Sequence, residues 1–256
     1  MYHRSLIVLT MGILLAALSS GCSMFGWTAA TGSDAVCVFN GKSMAGWINR
    51  DGRPNEWVLA SAVALDPADE KKFVITPGTG MMVNGPTGRT CDIYTAKEFG
   101  DCEAHIEFCV PKGSNSGVYF MGRYEIQVFD SWGKEKLESS DCGGIYARWI
   151  NNTGVNGHAP RVNASKAPGE WQSFDVLFRA PRFDAAGKKV EDAWFVKVYH
   201  NGKLVHTNVQ LTGPTRAAMW EHDPEKPTGP LMLQGDHGPV AYRNIRIRPF
   251  TFEWKK

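Results

Sequence analysis

The chain of 256 residues is 43% hydrophobic and 21% charged, an ordinary globular composition that allows one large all-β domain as readily as two small ones. Its formal charge is +2 and no Lys/Arg run interleaves with aromatics, so no nucleic-acid partner is expected. No G-x-S-x-G elbow, P-loop or dinucleotide fingerprint occurs, which argues against a serine hydrolase, a nucleotide enzyme or a self-contained oxidoreductase.

The N-terminus, MYHRSLIVLTMGILLAALSSGC, has a basic start at Arg4, an apolar run from Leu6 to Leu18, and small residues before Cys22. The run is too short to span a bilayer, and residues 1–21 are expected to be an export signal of lipoprotein type. Cys22 is then the lipidated first residue, and membrane contact is expected only through that anchor, with the protein in the periplasm or cell envelope. Residues 22–33 are small and polar and read as a tether. No composition break, repeat or low-complexity tract follows, so a single domain is expected over 34–252.

Short alternating runs predict strands at 35–40, 72–76, 103–110, 117–129, 143–149, 171–179, 193–200, 203–209, 231–234 and 240–248. In "VKVYHNGKLVHTNV", Asn201-Gly202 supplies the two positive-φ residues of a type I′ hairpin turn, with His200 and His206 expected at the surface. Many strands, Gly/Pro turns and scarce helical periodicity predict an all-β fold, a two-sheet antiparallel β-sandwich or jelly roll. Long loops at 150–170 and 212–230 are candidates for walls around a concave sheet face. Cysteines 37, 91, 102, 109 and 142 have no zinc-like spacing and are expected to form one or two disulfides or to be buried thiols. No metal site and no cofactor are expected. Calcium is left open only by the loop acids Glu221, Asp223 and Glu225, which have no regular ligand spacing.

The stretch "RYEIQVFDSWG" (123–133) raises the functional question. On a strand over 117–129, alternate residues Tyr119, Met121, Arg123, Glu125, Gln127 and Phe129 share a face. A purely solvated strand has no use for that mixture of aromatic, amide, cation and carboxylate. Asp130 lies at an odd offset from Glu125, and a β-bulge is required to turn it to the same side. The spacing is similar to the E-x-D-x-x-E strand of the lichenase and laminarinase β-glucanases, with Glu125, Gln127 and Asp130 at the three positions. The central carboxylate is an amide here, and a conventional glycosidase needs two carboxyls at a fixed separation.

Six ordered blocks carry a closer resemblance: "VFNGKSMAGW" (38–47), "NSGVYFMGRYEIQVFDSWG" (115–133), "GGIYARW" (143–149), "NASKAPGEWQSFDVLFRAPRFD" (163–184), "VYHNGKLVHTNVQLTGPT" (198–215) and "LMLQGDHGPVAYRNIRIRPF" (231–250). Together they resemble the 3-keto-disaccharide hydrolase domain family, formerly a domain of unknown function. One departure is "QGDHGP", where the family shows "QDHG", so that Gly235 reads as an insertion. The resemblance implies a concanavalin A-like sandwich acting on a carbohydrate, in particular a glycoside whose C3 hydroxyl is oxidised to a ketone. Such a ketone acidifies the C2 proton; a base removes it, the enolate expels the anomeric oxygen, and water adds back.

On that chemistry Glu125 is the first candidate base and His237 the second. Arg123 or Lys166 would stabilise the enolate, Gln127 and Gln234 would hold hydroxyls, and His237 or Asp130 would supply a proton. Tyr146, Trp132, Trp149 and Trp220 are candidate ring contacts. Each has a plain structural alternative: a surface ion pair for Arg123–Glu125, an Asx cap for Asp130, solvated charge for Lys166, and a tight turn for Asp236-His237. Two other functions stay open, a conventional β-glucanase-like glycosidase and a non-catalytic carbohydrate-binding module.

Overall fold

The computed structural model describes residues 36–85 and 87–250. The export signal over 1–21, the lipidation candidate Cys22, the tether over 22–33 and both extremities of the 34–252 domain lie outside the described residues. Seventeen strands and no helix occur among the described residues, and every strand pairing is antiparallel.

Two sheets make the sandwich. The larger runs Lys203–Leu211, Ala193–His200, Gln172–Arg179, Cys102–Cys109, Ala241–Pro249, Asp69–Val83 and Val58–Asp66, with Val36–Phe39 also paired to Ala241–Pro249. The smaller runs Trp47–Asn49, Ile93–Phe99, Gly229–Leu233, Asn115–Phe120 and Tyr124–Phe129. Alternation puts Val118, Phe120, Tyr124, Ile126 and Val128 of the smaller sheet against Phe174, Phe178, Phe195 and Ile245 of the larger one. The Phe120 ring lies 5.2 Å from Phe178 and 5.3 Å from Phe195, centroid to centroid. That aromatic layer drives the sheets together, since each buried ring removes a large apolar area from water.

The predicted strand over 117–129 is two strands. Asn115–Phe120 and Tyr124–Phe129 are joined by a tight turn in which Met121 (φ 56) and Gly122 (φ 63) are both left-handed and the Arg123 N–H bonds the Phe120 carbonyl. The turn preserves the alternation, because an antiparallel return puts Tyr119 opposite Glu125 and Gly117 opposite Gln127. Strands Val58–Asp66 and Ile93–Phe99 escape the sequence pattern. The first forms an edge hairpin with the long strand Asp69–Val83 and is half-exposed on both faces, so no polar–apolar alternation is written into it.

The Asn201-Gly202 turn has φ 49 and 77, as the sequence predicts, but its two histidines are not at the surface. His200 and His206 are buried, because both point inward from the hairpin onto Gln172 (Nε2 to Oε1, 2.9 Å) and the Gly143 carbonyl (2.7 Å). Burial holds them neutral, pushed down to about 3 and about 4. All five described cysteines are free thiols; burial pushes Cys109 and Cys142 up to about 12 and leaves them inert.

On the outer face of the larger sheet, His105 is a cross-strand neighbour of Asp175, and Glu107 of Arg243. His105 Nδ1 lies 2.7 Å from Asp175, and its Nε2 lies 3.4 Å from Glu107. Burial alone would lower the imidazole, but the Asp175 and Glu107 carboxylates more than offset it and raise it to about 9. A cation held above its unfolded value stabilises the fold fully below the unfolded value near 6.5, and the contribution disappears as pH rises through 9. Wild-type Tm is therefore expected to fall between pH 7 and pH 10 by more than that of His105→Gln. Parallel Tm profiles would show that His105 carries no such linkage.

Candidate active site

The hairpin of Asn115–Phe120 and Tyr124–Phe129 forms the floor of an open cleft on the outer face of the smaller sheet, with a volume of about 250 Å³. Asn115, Tyr119, Glu125 and Gln127 come from that floor. Segment 143–146 docks along the hairpin edge, its Tyr146 N–H bonding the Glu125 carbonyl at 3.2 Å and its Gly144 carbonyl accepting from Gln127 N–H at 2.8 Å, and so brings Tyr146 to the rim. The loop after Leu211 contributes Arg216 and Ala217, and the turn after Leu233 contributes Gln234 and His237. That loop sits over the sheet by packing Ala218 and Met219 on Tyr119, Met232 and Tyr94.

Glu125 is 3% exposed. Burial pushes its carboxyl up to about 8, the nearby Asp92 charge adds to the rise, and a hydrogen bond from the Tyr119 hydroxyl moderates it. The carboxyl fits only because Gly117, diagonally across the hairpin from Glu125, has no side chain. A Cβ on Gly117 would lie 2.8 Å from Tyr119 Cε2 and 3.0 Å from Glu125 Cδ, and would overlap Glu125 Oε1. Removing the Tyr119 hydroxyl withdraws the one group that favours the carboxylate. Tyr119→Phe is therefore expected to move the acid limb of any Glu125-dependent activity to higher pH; an unmoved limb would show that Glu125 does not set it.

Gln127 is fixed by an Nε2 bond to Asn115 Oδ1 at 3.1 Å. His237 is half-exposed, and its Nδ1 pairs with Asp236, which raises the imidazole above its ordinary value. The Nε2 edge is the one left to meet a ligand. Arg216 stacks its guanidinium 4.3 Å from the Trp149 ring centroid.

Of the residues expected from sequence, the cleft brings together Glu125, Gln127, Tyr146, Gln234 and His237. Arg123 is elsewhere. Following the turn, it bends away from the cleft, donates to the carbonyls of Trp220, Asp223 and Pro224, and lies over the Trp220 ring, so it ties down the loop over 212–228. The two-strand register carries no bulge at its open end, and Asp130 caps a turn by accepting from Gly113 N–H at 2.9 Å. Lys166 is exposed and donates to the Trp171 carbonyl at 2.9 Å. Trp132 is 58% exposed and stands off the cleft, whereas Trp149 acts through Arg216. Among the loop acids, Glu225 is held by Tyr124 and Lys189, and Glu221 by the Ala217 N–H.

Sequence reasoning missed Arg216 and Ala217 and gave Asn115 and Tyr119 no part in the site. The N-x-G-x-Y alternation over 115–119 was an available signal for the floor. For Arg216 there was none, since its place depends on how a long loop folds back. Position 235 has a physical reason to be glycine: a Cβ there would meet Thr90 Oγ1 at 2.9 Å and collide with the Cys91 carbonyl.

A family model described as a 3-keto-alpha-glucoside-1,2-lyase-like domain matches residues 34–248. A solved protein from Parabacteroides distasonis, described as a "putative glycosyl hydrolase", is 27% identical with a TM-score of 0.62, over 85% of this chain and 84% of that one. A second protein of that description and organism is 22% identical with a TM-score of 0.53, over 85% and 94% of the two chains. No curated protein matches the chain.

Proposed function

Because the chain belongs to the 3-keto-alpha-glucoside-1,2-lyase-like family, matched over residues 34–248, we propose that its cleft cleaves 3-keto-glycosides by elimination across C1 and C2 followed by hydration. The observation that carries this is a single buried carboxyl, Glu125, held near 8 in a cleft where it is the one carboxylate among the lining residues. Retaining and inverting glycosidases need a pair. Removal of a proton beside a ketone needs one strong base, and a carboxylate made basic by burial is suited to it.

Glu125 takes the C2 proton, and the electron pair passes into the C3 carbonyl. The Arg216 guanidinium, a fork of N–H donors, faces the enolate oxygen. His237, raised above its ordinary value by its bond to Asp236 and so favoured in its protonated form, protonates the anomeric oxygen as the C1–O bond breaks and the C1–C2 double bond forms. Water then adds at C1 and a proton returns at C2, giving the free keto sugar. Asn115, Gln127 and Gln234 hold the hydroxyls, and Tyr146 covers the ring. The export signal expected over 1–21, with Cys22 as the lipid anchor, supports a cell-envelope setting for this reaction.

A carbohydrate-binding module can use a carboxylate to accept from sugar hydroxyls. It gains nothing from burial that disfavours the charged form and costs stability, and this modestly favours the catalytic reading. The test is to incubate the protein with a 3-keto-glucoside and with its unoxidised parent and to follow the released aglycone. Release from the ketone alone is expected. Release from the parent would establish a conventional glycosidase, and affinity without release from either would establish a binding module.

A further inference from the structure

Two walls of the cleft, the loop bearing Arg216 and the turn bearing His237, meet at one ion pair that does not line the cleft. Arg50 follows the strand Trp47–Asn49, and Asp92 precedes its partner strand Ile93–Phe99. Arg50 Nη1 lies 2.9 Å from Asp92 Oδ2. The same guanidinium donates to the carbonyls of Ala217 at 3.1 Å and Ala218 at 3.0 Å. The other carboxylate oxygen, Asp92 Oδ1, accepts from the Gly235 N–H at 2.9 Å. A fork with parallel donors and a carboxylate with two oxygens can each serve two clients at once, which a point charge does less well.

The segment held by Arg50 is one that needs holding. Ala217 is left-handed at φ 61, a strained conformation for a residue with a Cβ, and it sits immediately after Arg216. Its N–H is fixed by Glu221 Oε2 at 2.7 Å and its carbonyl by Arg50. On the other wall, the Gly235 N–H is spent on Asp92 two residues before His237. Other bonds dock the outer side of the loop, from Thr215 to Arg123, from Arg216 to Ala147 and from Met219 to Gly122. They fix the loop to the hairpin and rim, but not to the His237 turn.

We propose that the Arg50–Asp92 pair is a positioning clamp that sets the Arg216 loop and the His237 turn at a fixed separation across the cleft. The pair touches neither Arg216 nor His237; it holds the backbone beside each, while the Asp92 charge also acts at a distance on Glu125 and His237. This deepens the elimination reading, and its role in turnover rests on that reading, while the coupling of the two walls does not.

Amide hydrogen exchange on Arg50→Ala and Asp92→Asn tests it reciprocally. Asp92→Asn keeps the volume and one acceptor oxygen, so a folded variant is available if Arg50→Ala unfolds. Each variant is expected to raise exchange in the segment it does not touch: Arg50→Ala in 234–238, and Asp92→Asn in 215–219. Exchange in the strands of the larger sheet should be unchanged. On a 3-keto-glucoside, kcat should fall by about 10–100-fold with KM little changed, since misplacement of groups that act in the transition state costs rate rather than binding. Loosening confined to the segment each residue touches, or unchanged kcat in both variants, would overturn the clamp. The exchange arm needs no substrate. A wild-type protein inactive on the ketone would therefore contradict the elimination reading and leave the clamp to stand or fall on exchange alone.

Discussion

Glu125→Gln is expected to lower turnover of a 3-keto-glucoside by about 10²–10⁴-fold, the range that a positioned general base supplies. Stability should move the other way. A carboxyl raised from 4.5 to about 8 in the folded state binds its proton more tightly than in the unfolded chain. Its ionisation linkage therefore leaves the fold most stable below the unfolded value and erodes stability as pH rises from 4.5 through 8. At pH 7 that penalty is about 3 kcal/mol. The neutral amide has no such penalty, so Tm of the variant should equal or exceed that of the wild type at neutral pH. Loss of activity with retained or raised Tm is the signature of a residue kept for chemistry at the expense of stability. A variant that keeps full turnover rules out Glu125 as the base. One that loses activity together with several degrees of Tm assigns the carboxyl to the scaffold.

Gly117→Ala is the second large effect, and it acts without altering any polar group. Glu125 and Gly117 are not directly opposite in register, yet the carboxyl leans across the hairpin into the space a methyl would fill. Gly117 carries no positive-φ requirement, so the penalty is one of contact and not of backbone strain. The added methyl must push both the carboxyl and the Tyr119 ring. A displacement on the order of 1 Å at a reacting group costs about 10²-fold in rate, and the overpacked floor should also lose about 1–3 kcal/mol of stability. Turnover and Tm measured on the same preparation check both. Wild-type activity in Gly117→Ala would mean that the carboxyl does not work from the position it occupies here.

The fold was legible because alternation and turn chemistry agree along most of the chain. Asn201-Gly202 marks its hairpin unambiguously, and the inward row Tyr124, Ile126 and Val128 is written at period two. The long strand over 117–129 was misread because its reversal uses Met121, a residue that rarely takes a positive φ, beside a single glycine. The error cost little for Glu125 and Gln127, whose shared face survives the turn, and it cost everything for Arg123, which stands at the bend itself. Sequence parity says which side of a sheet a residue takes; it does not say which loop returns to cover that side. Arg216 reaches the cleft through bonds from Thr215, Arg216 and Met219 to backbone far away in the chain, and no local pattern encodes them. The histidines at 200 and 206 were placed outside for the same reason. A hairpin at a sheet edge reads as exposed until the segment around Gly143 is seen to close over it.

On the elimination reading, the cleft removes a proton from the carbon beside a ketone. The most direct measurement compares turnover of a 3-keto-glucoside carrying deuterium at C2 with that of its protium counterpart. Slower release of the aglycone from the deuterated compound, with solvent hydrogen found at C2 of the product, is the predicted result. Equal rates together with full retention of the C2 label would contradict it and return the cleft to a mechanism that never breaks that bond.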